Sequence, residues 1–283
     1  GDLQQRTLDT SMERLEAALA KAREQRQNSM GEVRQPRVKG EVVRPDTVDW
    51  ATVPEVTITP ERARRNRISG GSGGAAAAPY DLLRSRALRL MKEKEWTRVA
   101  VTSPDPACGK TTVALNLALS LSRQKDLRVM VLDFDLRRPS LNPMLGASAE
   151  KSLWEVLEGK ASSEQAAVRV GQNLVLMGNA SPARNPAELL HSVRTKQAID
   201  DIEAFWKPDI MIFDLSPMLA SDDNVGFLVN TDCALLVAAA ESTKLTNVDL
   251  CEKELAQLTN VLGVVLNKCR YDDETTGYSY GSY

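Results

Sequence analysis

A single histidine, His191, stands in the 283-residue chain, and the four cysteines, Cys108, Cys233, Cys251 and Cys269, lie far apart with no C-x-x-C pair. The common zinc and iron–sulfur ligand sets are therefore missing, and the thiols suit a reducing compartment better than a disulfide framework. Aromatic residues make up only 5% of the chain, and none is interleaved with basic residues as a base-stacking surface requires. Trp96, Trp154 and Trp206 read as packing anchors, and His191 as a helix-surface residue. An excess of one charge is missing too. The 36 Lys and Arg nearly balance 38 Asp and Glu, for a net charge of -2, so no global attraction to nucleic acid exists and no nucleic-acid partner is expected. No apolar run approaches the roughly 20 residues that span a bilayer, and the first residues carry no secretory pattern. A soluble protein is expected.

What is present is an ordinary 42% hydrophobic content, enough for one large α/β domain with appendages. Thr10 to Gln27 carries Met12, Leu15, Leu19 and Ala22 on one helical face, with Thr10 and Glu13 spaced as a capping box. From Met30 to Ala78 the periodicity dissolves into Pro36, Pro45, Pro54 and Pro60, a basic run of Arg62, Arg64, Arg65 and Arg67, and a Gly/Ala stretch from Gly70. These features read as a linker with a solvated charge run. Residues 1–78 are thus expected to form a helix plus flexible linker, 79–270 the folded domain, and 271–283 a disordered tail.

Within the domain, helix-like Tyr80 to Lys94 is followed by apolar runs alternating with helical segments. The expected strands are Val99–Thr102, Val129–Leu132, Leu174–Met177, Ile210–Phe213, Ala234–Ala239 and Val261–Leu266. The helices between them include Thr111–Arg123 and Pro186–Phe205, the latter with Asn185 as N-cap and Glu188 at N3. Near-continuous apolar strands alternating with helices predict an α/β fold of the P-loop NTPase type, a mostly parallel sheet covered by helices on both faces.

The chemistry-bearing pattern begins where the first strand runs into P-D-P-A-C-G-K-T-T, Pro104 to Thr112. Strand, loop and helix in that order make G-K-T a phosphate-binding element. In the loop that runs from Pro106, the backbone N–H groups of Ala107, Cys108 and Gly109 and of the following helix start would cradle phosphates, Lys110 would reach the β- and γ-phosphates, and Thr111 would offer its hydroxyl to Mg²⁺, with Thr112 alongside. Two acidic motifs end later strands, Asp133-Phe134-Asp135-Leu136-Arg137-Arg138-Pro139 and Asp214-Leu215-Ser216-Pro217, the positions where a parallel sheet gathers its ligands. Four of the five tyrosines, Tyr271, Tyr278, Tyr280 and Tyr283, crowd into the last thirteen residues, too polar a segment to bury them, so they read as candidate phosphoacceptors.

The set P-x-x-G-K-T, D-x-D-x-R-R-P and an apolar strand ending D-x-x-P, with Asn185-Pro186-x-Glu188-Leu189-Leu190, Gly263 to Asn267 and a tyrosine-rich end, resembles the bacterial tyrosine kinases. These are P-loop autokinases of capsule and exopolysaccharide assembly. The resemblance covers about Pro79 to Tyr283. It implies ATP and Mg²⁺ as cofactors, tail phosphorylation in trans, a ring-shaped homo-oligomer, a transmembrane polysaccharide co-polymerase that recruits the chain to the cytoplasmic membrane, and an opposing tyrosine phosphatase. It implies that Lys110, Asp133 and Asp135 are catalytic, with Asp133 the base, that Thr111, Asp135 and Asp214 serve the metal, and that Asn267 lies near adenine. Two positions depart from the pattern: Ala107 stands where Gly is usual, costing about 1 kcal/mol if its φ is positive, and the oligomer motif is reduced to Asp81 and Arg84 with Ala87 as its third position. A ParA/MinD-like ATPase switch is the main alternative, but it would carry a signature Lys where Asp105 stands. A nucleotide-sensing scaffold is the other.

Overall fold

The computed structural model describes residues 48–269. The expected Thr10–Gln27 helix and the four tail tyrosines lie outside them. Strands β1 (Arg98–Thr102), β2 (Val129–Asp133), β3 (Ala167–Val170), β4 (Leu174–Met177), β5 (Ile210–Asp214), β6 (Cys233–Ala239) and β7 (Asn260–Asn267) form one sheet in the order β3-β4-β2-β5-β1-β6-β7. Every pairing is parallel except β3 with β4. The helices are α1 (Pro60–Arg65), α2 (Ala78–Glu93), α3 (Lys110–Ser122), α4 (Leu141–Leu145), α5 (Leu153–Leu157), α6 (Pro186–His191), α7 (Val193–Trp206), α8 (Asp223–Leu228) and α9 (Leu245–Leu258).

Why the strands read as unbroken apolar runs follows from the pleat, which sends successive side chains to opposite faces. Val99, Val101, Val129 and Val131 join Val113, Leu117 and Met91 of α3 and α2 in one core. Their neighbours Ala100, Met130 and Leu132 join Ile199, Ile202, Phe227 and Leu255 of α7, α8 and α9 in the other. With helices on both sides, neither strand face can be polar. The two edge strands depart from this: β7 mixes exposed and half-buried positions, and β3 ends in half-buried Arg169 and Val170. Among the described residues no helix is long and apolar enough to cross a membrane.

Four expectations need correction. The described part of the supposed linker, 48–78, packs onto the domain: Trp50 is buried and its Nε1 donates to the Trp206 carbonyl at 3.1 Å, and the backbone around Glu55 bonds Arg169 on edge strand β3. Gly70, read as a flexibility signal, serves close approach, since a Cβ there would lie 2.1 Å from the Asn116 carbonyl oxygen, while the Asn116 side chain accepts from the Ser69 and Gly70 N–H groups. The single helix expected over 186–205 is broken at Ser192, whose extended backbone (ψ 144) and hydroxyl cap α7 at Thr195 N. Asn185 makes no side-chain cap at all.

Candidate active site

β1 delivers the chain to the loop 103–109, and α3 begins at Lys110. The turn between them needs left-handed backbone at two places, Ala107 (φ 61) and Gly109 (φ 89). Ala107 therefore carries the expected strain of about 1 kcal/mol. At Gly109 the requirement is also steric, because a Cβ would meet the Asn267 amide nitrogen at 2.3 Å. The end of β7 ties the loop down from outside: Asn267 Nδ2 donates to the Cys108 carbonyl at 2.9 Å and Lys268 Nζ to the Ala107 carbonyl at 2.5 Å. Asn267, expected near adenine, is thus engaged with the loop backbone, and Lys268 is a positioning residue that sequence reasoning missed although it adjoins Asn267. Cys108 is buried against the Thr243 hydroxyl at 3.4 Å.

Parallel strands in register bring the carboxylates together, with Asp133 of β2 directly opposite Asp214 of β5. Lys110 Nζ donates to Asp135 Oδ2 at 2.9 Å and stands 3.8 Å from Asp214 Oδ1. Thr111 donates its hydroxyl to Asp214 Oδ2 at 2.6 Å and shares a 2.8 Å contact with the Ser140 hydroxyl. The fully buried Asp133 accepts the N–H groups of Asp135, Ser140 and Leu141 at 3.2, 3.0 and 3.0 Å. Its main-chain carbonyl takes the Asn179 amide at 2.8 Å. Ser140 and Asn179 are the other two supports not read from the sequence, for neither belongs to a motif with a recognisable spacing.

The electrostatics follow from this crowding. Burial, reinforced by the Asp214 charge, pushes the Asp133 carboxyl up to about 8. Burial likewise raises Asp214, against the opposing pull of Lys110 and the Thr111 hydroxyl. For Lys110 burial favours the neutral amine, yet Asp214 and Asp135 outweigh it and hold the ammonium charged. Asp214 Oδ1 is buried without a hydrogen-bond partner. An orphaned carboxylate oxygen beside the Thr111 hydroxyl fits a hard, oxygen-seeking cation such as Mg²⁺. Among the described residues no three His, Cys, Asp or Glu side chains gather for a metal, so a cation here would complete its shell with nucleotide phosphate and water.

The structure brings together Pro106 to Thr112, Asp133, Asp135, Asp214 and Asn267. Asp81 and Arg84 lie elsewhere, on α2, and both are engaged within the chain: Asp81 accepts from Ser120 and Arg123, each at 2.7 Å, and Arg84 donates to the Ser120 carbonyl at 3.0 Å. Asp105, at the position of the alternative's signature Lys, accepts from the Asn247 amide at 3.2 Å.

A model of the CobQ/CobB/MinD/ParA nucleotide binding domain family matches residues 99–280. Etk of Escherichia coli (strain K12), named a tyrosine-protein kinase, is 33% identical over 206 residues that cover 69% of this chain and 27% of that protein. YwqD of Bacillus subtilis (strain 168), also named a tyrosine-protein kinase, is 28% identical over 72% of this chain and 85% of its own length. The solved kinase domain of Escherichia coli tyrosine kinase ETK superposes with a TM-score of 0.65 at 28% identity, covering 83% of this chain and 95% of that one. The chain spans 26% of the length of EpsB of Ralstonia nicotianae and 23% of Ptk of Acinetobacter johnsonii. The resemblance drawn from the motifs is borne out.

Proposed function

The chain belongs to the CobQ/CobB/MinD/ParA nucleotide-binding family, and from the carboxylate-lined phosphate loop it carries on that fold we propose that it is an ATP-dependent protein-tyrosine kinase. The observation that carries this reading is the pairing of Lys110 with Asp135 and Asp214 beside a third, fully buried carboxylate, Asp133, which burial pushes up to about 8. A nucleotide switch needs the first part; a proton acceptor for a substrate hydroxyl is what the second supplies.

In the proposed reaction the loop N–H groups and Lys110 hold the ATP phosphates. Lys110 exchanges its Asp135 partner for phosphate oxygen as nucleotide enters. Thr111 and Asp214 would hold Mg²⁺, which when bound neutralises phosphate charge. A bond forms between the tyrosine phenolic oxygen and the γ-phosphorus as the bond from that phosphorus to the β–γ bridging oxygen breaks. The tyrosine proton passes to Asp133, and ADP leaves with the electron pair. Three backbone N–H donors on Asp133 keep its oxygens aimed, so positioning is supplied by the loop 134–141.

Several finer points belong to the same proposal. The acceptors are Tyr271, Tyr278, Tyr280 and Tyr283, modified in trans within a homo-oligomer through the α2 face bearing Asp81 and Arg84. A membrane-spanning polysaccharide co-polymerase recruits the chain, and the modification regulates exopolysaccharide or capsule export. The test is incubation with γ-labelled ATP followed by an anti-phosphotyrosine blot, beside Lys110→Met. We expect phosphotyrosine from the native chain and a loss of at least about 10²-fold in the variant. Hydrolysis without phosphotyrosine would support an ATPase switch, and neither signal a scaffold.

A further inference from the structure

Two arginine groups remain unused by this chemistry: the basic run read as a solvated surface, and the Arg137-Arg138 pair that follows Asp135. The fold brings them together. An open pocket of about 710 Å³ lies between α1, α4 and the loops after β2 and β4, with Arg62, Arg137 and Arg138 in its wall and no acidic residue among its lining. Arg62 is placed deliberately. It donates to the Pro143 carbonyl at 3.0 Å, and its guanidinium crosses Gly146, where a Cβ would stand 2.1 Å from Cζ. Gly146 also has a positive φ of 72, so a side chain there is disfavoured twice over. Arg137 is neutralised by the buried Asp223, whereas Arg138 is exposed at the pocket edge, with its backbone N–H on Asp135 at 3.1 Å. The pocket shares its walls with the reaction site. Asn179 lines the pocket and holds the Asp133 carbonyl, and the Ser140 and Leu141 amides that grip the Asp133 carboxylate open α4, whose far end bears Gly146.

We propose that this pocket is a docking site for an acidic peptide, and that its occupant is Asp272, Asp273 and Glu274 of a second copy of the chain. The guanidinium fork matches carboxylate geometry. This acidic triplet sits between Tyr271 and Tyr278, so anchoring it beside the Asp133 site would hold a phosphoacceptor nearby. A second copy is favoured over the chain's own tail by reach. β7 and β2 are separated by β6, β1 and β5, so four inter-strand steps of about 4.8 Å lie between them, roughly 19 Å. From Cys269, fully extended chain reaches only about 11 Å by residue 272 and 18 Å by residue 274. A chain's own triplet would have to run straight across the mouth of the nucleotide site to come near β2, and the pocket lies beyond it.

The inference rests on the kinase reading, and the experiment separates the two. A fluorescein-labelled peptide of residues 269–283 is titrated into the full chain by anisotropy without ATP, and then used as substrate with ATP. A peptide with Asp272→Asn, Asp273→Asn and Glu274→Gln serves as the neutral control. The acidic peptide should bind about fivefold more tightly than the control, and Arg62→Ala or Arg138→Ala should each weaken it about fivefold, leaving the control unmoved. Arg138→Lys should restore part of the binding. In the transfer assay the loss should fall on KM for peptide and not on KM for ATP. Equal binding of the two peptides, or no effect of either arginine, overturns the docking site even if transfer proceeds. Arginine-dependent binding without transfer keeps the site and removes the kinase reading. A peptide phosphorylated at Tyr271 that binds more tightly than the acidic one would make the pocket a phosphotyrosine reader and overturn this assignment.

Discussion

The two ends of the parallel sheet both bury charge, and they do so differently. At the amino-terminal edge Arg98 is 2% exposed, yet its guanidinium donates to Asp200 at 2.6 Å, to Glu203 at 2.7 Å and to the Asn230 carbonyl at 3.2 Å. Asp232 beside it accepts the Thr97 and Arg98 N–H groups, both at 2.8 Å. At the carboxyl-terminal edge, three carboxylates face a single ammonium, one oxygen has no hydrogen-bond partner, and Asp133 and Asp214 are pushed upward by burial. The first end is closed and the second is left incomplete. Charge that the protein does not satisfy for itself is charge available to a ligand, and clustered perturbed groups of this kind mark functional sites.

The closed end is the easier to break. Arg98→Leu would take the guanidinium from the partly shielded Glu203 and leave Asp200 with Lys196 alone, and we expect a loss of about 3 kcal/mol in chemical denaturation. Nucleotide affinity of the folded variant should be within about twofold of native, because the change lies at the far end of β1 from the loop. A variant equally stable, or one whose affinity collapses, would show that the two ends are not separate.

At the open end, Ala107→Gly should remove the left-handed strain and raise stability by about 1 kcal/mol, read as a higher Tm without nucleotide. No gain would mean that the loop relaxes in solution away from φ 61.

The smallest effect, and the one that sharpens the contrast, is in pH. For Asp200 burial pushes the carboxyl up, but the Lys196 and Arg98 hydrogen bonds outweigh it and hold it low. Its contribution is present above the ordinary carboxylate range, near 4, and is lost as pH falls below it. Asp133 has the opposite sign: folded at about 8, it keeps a proton that the unfolded chain gives up near 4, so its contribution is full below that and lost as pH rises through about 8. Stability measured from pH 3 to 9 should therefore fall at both extremes, with Arg98→Leu flattening only the acid limb and Asp133→Asn only the alkaline one. In the proposed reaction Asp133 takes the tyrosine proton, which only its ionised form can do, so kcat/KM for transfer should rise with pH toward 8.

Which elements could be read in advance follows a physical pattern. Five strands are buried along their whole length and announce themselves as apolar runs. β3, an antiparallel edge of four residues containing Arg169, has too little pattern to stand out. Ser192 looked like one more helical position because nothing local says that its hydroxyl will cap the next helix. Gly70 and Arg62 are opaque in the sequence for a shared reason: composition reports flexibility and charge, while their roles depend on Asn116, Pro143 and Gly146, which are 46 to 84 positions away in the chain.

The amino-acid order by itself determined the parallel α/β architecture, the phosphate loop and the identity of the charged groups, because strand burial, G-K-T after a strand, and Asp at strand ends are all local patterns. Only the tertiary structure decided which carboxylate Lys110 pairs with, that burial pushes the Asp133 carboxyl up, that Asn267 and Lys268 clamp the loop, and that a supposed linker arginine shares a pocket with Arg138. Each of these depends on desolvation or on contact between distant segments, and both arise only when the sheet has assembled and excluded water.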